Sequence, residues 1–234
     1  MDTINTRKRI EEDIALLKSM IYRMSGLASE SLEKAVWALK NQDVEVARNV
    51  IADGDIIDEL EEKLDAACME FAARYQPLGE DLRVVVSVMH IAVDLERIGD
   101  YGENIAKAAL SLSRLPQLKP LIDIPRMVEI IKEMLRLSMA AIDGHDGEMA
   151  LKVFPLDDEV DDLERQIMRE LLLLIMEKPE RIEQSFNLMN VSRTLERAGD
   201  HATNVAERVA YMYTGRPVKA GSYRRRKTAQ DDGN

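Results

Sequence analysis

Leu95-Glu96-Arg97-Ile98-Gly99-Asp100 and Leu195-Glu196-Arg197-Ala198-Gly199-Asp200 are one six-residue block written twice, 100 residues apart. Asn104-Ile105-Ala106 follows the first and Asn204-Val205-Ala206 the second. A block repeated at this distance asks first how the rest of the chain repeats. Upstream, a shift of 103 brings Met24, Glu30, Leu32 and Ala38 onto Met127, Glu133, Leu135 and Ala141. It also brings Asp43, Glu45 and Val50 onto Asp146, Glu148 and Val153. Asp55, Asp58, Leu60 and Glu61 fall on Asp158, Asp161, Leu163 and Glu164. The change from 103 to 100 falls in the loop before the block, three residues longer in the first copy. Loops absorb such insertions and helices do not.

Composition sets the type of element that repeats. Charged residues make up 32% of the 234, aromatics 4%, and there are only 11 Gly and 7 Pro. Leu, Ala, Glu, Met, Lys and Arg dominate, the residues that lose least on entering a helix. No run alternates in the manner of a strand. Breaks at Asn41-Gln42-Asp43, Gln76-Pro77, Pro116 to Pro125, Asp143-Gly144, Lys178-Pro179 and Gly215-Arg216-Pro217 divide the helical pattern. They predict six helices at about 7–40, 43–75, 80–113, 122–143, 146–177 and 180–213. Leu60, Leu64, Cys68 and Phe71 share one face of the second helix, and Val84, Val88, Ile91, Leu95 and Ile98 one face of the third. Val86, Met89 and Val93 form a second apolar stripe on the third helix, which predicts a central helix packed on two sides. The expected fold is all-α: two tandem three-helix bundles at 1–115 and 121–215, then a disordered basic tail at 216–234 containing Arg224-Arg225-Arg226-Lys227.

Charge narrows the function. A formal net charge of −11 repels nucleic acid and anionic lipid and leaves cations or basic protein surfaces as partners. The single cysteine, Cys68, forms no disulfide within the chain and fits a reducing cytoplasm. Its counterpart is Leu171, so Cys68 reads as a core position. No secretory signal opens the sequence, and the longest apolar run, Leu171 to Met176, is far short of a membrane span. Membrane association is expected only through partners.

The repeated block carries the chemistry. Glu and Asp four apart share a helical face, and Asn104 and Asn204 extend the line by a turn. An antiparallel turn near residue 77 places Asp55 level with Asp100 and Glu59 level with Glu96. Asp158 and Asp162 stand likewise to Glu196 and Asp200. Two facing acidic pairs per copy make an oxygen-only site that suits Mg, Ca, Mn or Fe. The other reading is structural: Arg97 and Arg197 adjoin the acids, and acids in a first turn favour the helix dipole. Gly99 and Gly199 predict close approach of a neighbouring backbone. Di-iron helical bundles use Glu-x-x-His, but Ser87, Ile142 and Ala198 precede the three histidines, and no phosphate loop or nucleophile–base set is present. A metal-dependent enzyme or metal store remains the alternative to a non-catalytic adaptor.

These residues resemble the signature of the PhoU family. Gln76-Pro77, Asp81-Leu82-Arg83 and Asp94 through Asp100 with Asn104-Ile105-Ala106 look like its first repeat. Leu195 through Glu207 look like its second. The likeness runs over about residues 7 to 215, departing at Gly79 and Ala198. It implies a cytoplasmic, non-enzymatic regulator that represses phosphate uptake and the phosphate-starvation response. It also implies partners: a phosphate ABC transporter ATPase and a sensor histidine kinase. Metal clusters (Fe, Zn, Mn or Mg) at the repeated acids and a homodimer are implied as well.

Overall fold

The computed structural model describes the backbone of residues 3–221 and the side chains from residue 6 onward. The expected tail segment Arg224 to Lys227 lies outside the described residues. Every regular element among those described is helical: α1 (Thr3–Asn41), α2 (Val44–Ala52), α3 (Asp55–Tyr75), α4 (Gly79–Leu112), α5 (Asp123–Asp143), α6 (Gly147–Ala150), α7 (Phe154–Glu177) and α8 (Ile182–Thr214).

The ends follow from local chemistry. Asp43 caps α2 by accepting from the amides of Glu45 and Val46, and Asp146 caps α6 by accepting from Glu148 and Met149. Gln76, at φ +46°, ends α3 ahead of Pro77, and Gly215, at φ +66°, ends α8. Two breaks depart from the expected six helices. The span 43–75 is interrupted at Asp53-Gly54. The span 146–177 is interrupted by a 3-10 turn, Leu151–Val153. There Pro155 lies in the first turn of α7, where its missing N–H leaves no bond unmade. The chain therefore forms six rods, two of them jointed.

Contacts fix the directions. Arg7 meets Asp81, Ser31 donates to the Gly99 carbonyl, and Gln42 reaches the Leu112 carbonyl, so α1 and α4 run parallel. Tyr75 donates to Asp13, so α3 runs against α1. Together α1, α3 and α4 pack on one another, as α5, α7 and α8 do. The two sets meet along α4 against α8 and α1 against α5. Arg83 donates to the Met212 carbonyl and Tyr101 meets His201, which makes α4 and α8 antiparallel. The linker is anchored on both sides: Gln42 donates to the Leu115 carbonyl at 2.7 Å and Gln184 to that of Pro116 at 2.8 Å.

One buried apolar cluster, from Leu17 to Ala220, runs through both sets. Cys68 is fully buried within it, and burial pushes its thiol up to about 12, consistent with a core position. The second stripe of α4 departs from expectation. Val86 and Val93 are 39% and 46% exposed. The central place of α4 comes from its other faces, which meet α1, α2, α3 and α8. Residues 219 and 220, expected in the loose tail, are held by Glu207, which accepts from Lys219 at 2.7 Å and from the Ala220 amide at 2.9 Å.

Candidate metal centre

The α3–α4 hairpin brings three carboxylates together. Asp58, Glu96 and Asp100 each offer an oxygen within 4.8 Å of the other two. A cation with oxygen ligands at about 2.0–2.6 Å fits a gap of that size. The donors are all hard oxygens, which suits Mg, Mn or Fe. Glu96 is 22% exposed and Asp100 35%. Burial, and then the charge of Asp100, push the Glu96 carboxyl above the ordinary range. Burial and Asp100 do the same to Asp58. Asp58 and Glu96, whose proton affinity is raised by burial and by the neighbouring charge of Asp100, gain most from a counter-charge.

Of the acids expected from α3, neither Asp55 nor Glu59 joins this group. Glu59 pairs with Lys63 at 2.9 Å on an exposed face, and Asp55 is exposed, acting on Asp58 through its charge alone. The level along the hairpin was legible but the face was not. Residues advance about 100° around a helix. Ile57, Leu60 and Leu64 define the buried side of α3; Asp55 stands opposite it, and Asp58 and Glu59 lie about equally far round on its two sides, with Asp58 and Glu61 on the side toward α4. Which of the two sides faces α4 is set by the packing of the hairpin, so the sequence pattern alone did not single out Asp58.

In the second copy Glu196 is raised above its ordinary range by burial, then by Asp200, Asp161, Glu164 and Asp157. Asp161 is the counterpart of Asp58. Asp162 pairs with Arg165 at 2.5 Å and Asp158 is exposed. A fourth acid accompanies each group, supplied from opposite helices. In the first copy Gly54 leaves space, and Glu103 on α4 fills it, its Oε1 bound to Lys107 and its Oε2 3.3 Å from where a Gly54 Cβ would stand. In the second copy the small residue is Thr203 on α8 and the acid is Asp157 on α7, only 6% exposed. Its Oδ1 is 3.5 Å from where a Gly199 Cβ would stand.

The glycines of the repeated block have a clear task. A Cβ on Gly99 would fall 2.6 Å from Ile57 Cδ1, so it is a side chain of α3, rather than its backbone, that fills the space the glycine leaves. Gly199 faces Val160 in the same manner at 3.3 Å.

The arginines differ between copies. Arg97 lies 3.4 Å from Glu96 and 3.3 Å from Asp100, while half exposed. Arg197 instead lies over the Tyr101 ring at 5.4 Å. Exposed pairs of this length contribute little, so Arg97 can swing away at low cost. The asparagines do not extend the acidic line as expected. Asn104 is exposed, and Asn204 donates to Asp94 at 3.3 Å across the α4–α8 seam. There His201 meets Asp94 through Nδ1 at 2.8 Å and Tyr101 through Nε2 at 3.3 Å. The Nδ1–H tautomer satisfies both contacts. The block thus ties the two sets of helices together one residue beyond its acids.

Comparison with known proteins places this geometry. The PhoU domain pattern matches residues 21–109 and again 124–209. A phosphate-specific transport system accessory protein PhoU homolog of Aquifex aeolicus is 41% identical over 212 residues, 91% of this chain and 94% of its own length. The crystal structure of PhoU from Pseudomonas aeruginosa superposes with a TM-score of 0.83 at 31% identity, covering 88% of this chain and 99% of that one. The phosphate transport system regulatory protein PhoU of Streptococcus pneumoniae gives 0.82 at 26% identity, covering 90% and 99%. The chain belongs to the PhoU family, with an all-α fold of six rods in a PhoU-like bundle. It is a regulatory protein and not an enzyme. No helix among the described residues is long and apolar enough to cross a membrane.

Proposed function

We propose that this chain is a negative regulator of phosphate uptake and of the phosphate-starvation response. It acts as a metal-binding adaptor between a phosphate ABC transporter ATPase and a sensor histidine kinase. The observation that carries the reading is identity of 41% across nine tenths of both chains with a phosphate-specific transport accessory protein. The chain works in the cytoplasm as a homodimer and reaches the membrane through its partners. Its two halves, 1–115 and 121–215, are tandem copies of one three-helix bundle. The double match of the domain pattern and the equivalent packing of α1, α3, α4 and α5, α7, α8 support that division.

Each half holds its own cation. Asp58, Glu96 and Asp100 would hold it in the first half, and Asp161, Glu196 and Asp200 in the second. Glu103 and Asp157 stand beside them, with Asp55 and Asp158 at the rim. Bound metal would supply the counter-charge that lets these acids stay ionised together. The chain's own part is positional: Gly99 and Gly199 let α4 and α8 close on α3 and α7, which brings the acids level. Deletion of the gene should derepress phosphate-starvation genes in phosphate-rich medium, read by a reporter fusion. Unchanged reporter output would reject the regulatory reading.

A further inference from the structure

The outer face of α4 carries an apolar stripe, largely exposed, that runs into the carboxylate group. Leu82, Val86, Met89, Val93, Glu96 and Asp100 follow one another at steps of four and three. That is the spacing of a heptad seam, the stripe one helix offers to another. Its apolar part is bare: Leu82 is 42% exposed, Val86 39% and Val93 46%. Met69 on α3, 60% exposed, stands on the side of that helix that also carries Asp58 and Asp65. The seam turns from apolar to acidic along its length, and exposed Glu62 and Asp65 border it. The second half repeats the apolar part. Leu172, Ile182 and Phe186 occupy the places of Met69, Leu82 and Val86 and are 52%, 57% and 58% exposed. Arg193 replaces Val93 there, so the longer seam is that of α4.

We propose that the α3–α4 face docks an amphipathic helix of a partner protein. That helix has apolar residues at steps of three and four, and Lys or Arg toward one end to meet Glu62 and Asp65, the exposed acids beside the candidate metal trio. Charge decides the occupant. A second copy docked in parallel would set these acids against their own equivalents. Docked antiparallel, it would still bring a chain of net charge −11 against these acids. Anionic lipid meets the same repulsion. A basic helix gains both from burial of the apolar steps and from the field of the acids, which speeds encounter and fixes its direction. The inference rests on the adaptor reading and specifies the surface it would use.

The test is site-specific photo-cross-linking in cells, with the reactive residue at Val86 or Val93 and, as control, at exposed Arg48 on α2. The adducts are identified by mass spectrometry. The expected result is one segment of another protein joined at both seam positions and absent at Arg48, with the apolar spacing and basic end described. Charge reversal by Glu62→Lys with Asp65→Lys, outside the candidate metal trio, should lower the yield several-fold while circular dichroism stays unchanged. Adducts to a second copy of this chain or to lipid, or a yield indifferent to charge reversal, would overturn the proposal. Derepression in the deletion strain with no adduct at either seam position would overturn the surface and leave the adaptor reading standing.

Discussion

At the scale of single residues, the carboxyls of Glu96 and Glu196 make a defined contribution to how the protein responds to pH. Burial, then Asp100 and Asp200, hold both above the ordinary glutamate range. Between the ordinary and the raised value, the folded chain binds more protons at these sites than the unfolded chain does. The slope of stability with pH is therefore negative there: stability falls as pH rises through the window and returns as pH falls. In chelator, the wild-type melting temperature should carry this negative contribution as pH rises above the ordinary glutamate value of about 4.5, and Glu96→Gln with Glu196→Gln should remove it. Thermal melts of both proteins across that range measure it, and parallel curves would contradict it. The block containing these residues was legible in the sequence because it is written twice. Its partner acid was not, because Asp55, Asp58 and Glu59 crowd one turn, and only the packing of α3 on α4 separates them.

At the scale of elements, the glycines show where helices close on each other. A Cβ on Gly102 would stand 2.1 Å from Ser31 Oγ and 2.9 Å from the Ser31 carbonyl carbon, so α1 and α4 must part to admit it. Overpacking of this kind costs about 1–3 kcal/mol, and Gly102→Ala should lose that much in urea unfolding. Gly26→Ala meets nothing within 4 Å and should gain about 0.5–1 kcal/mol, the helix preference of alanine over glycine. Equal effects of the two substitutions would contradict the packing account. The six rods were legible because Pro77, Pro116, Pro179 and Gly215 mark their ends. The joints within two of them were not. Asp53-Gly54 sits within an otherwise helical pattern, and Pro155 is tolerated by a helix that begins one residue before it. The exposed stripe of α4 misled for a related reason: periodicity shows that a face is apolar, not whether this chain covers it.

At the scale of the whole molecule, two helical sets share one core and meet along α4 and α8, each carrying an acidic group beside that seam. Cation binding to the assembled acids, and not to the unfolded chain, must stabilise the fold in proportion to occupancy. The two copies differ in how the fourth acid is supplied, Glu103 in one and Asp157 in the other, so they should fill at different concentrations. The most direct measurement is thermal unfolding of chelator-treated protein titrated with Mg, Mn, Fe or Zn ions, paired with elemental analysis. The account predicts a melting temperature that rises with at least one of these metals. Asp100→Asn and Asp200→Asn should each remove part of the rise, and the double variant should remove it all. A melting temperature indifferent to every metal, with no metal retained and Arg97 still needed to hold Glu96 and Asp100, would show the acids to be structural and contradict the metal centre.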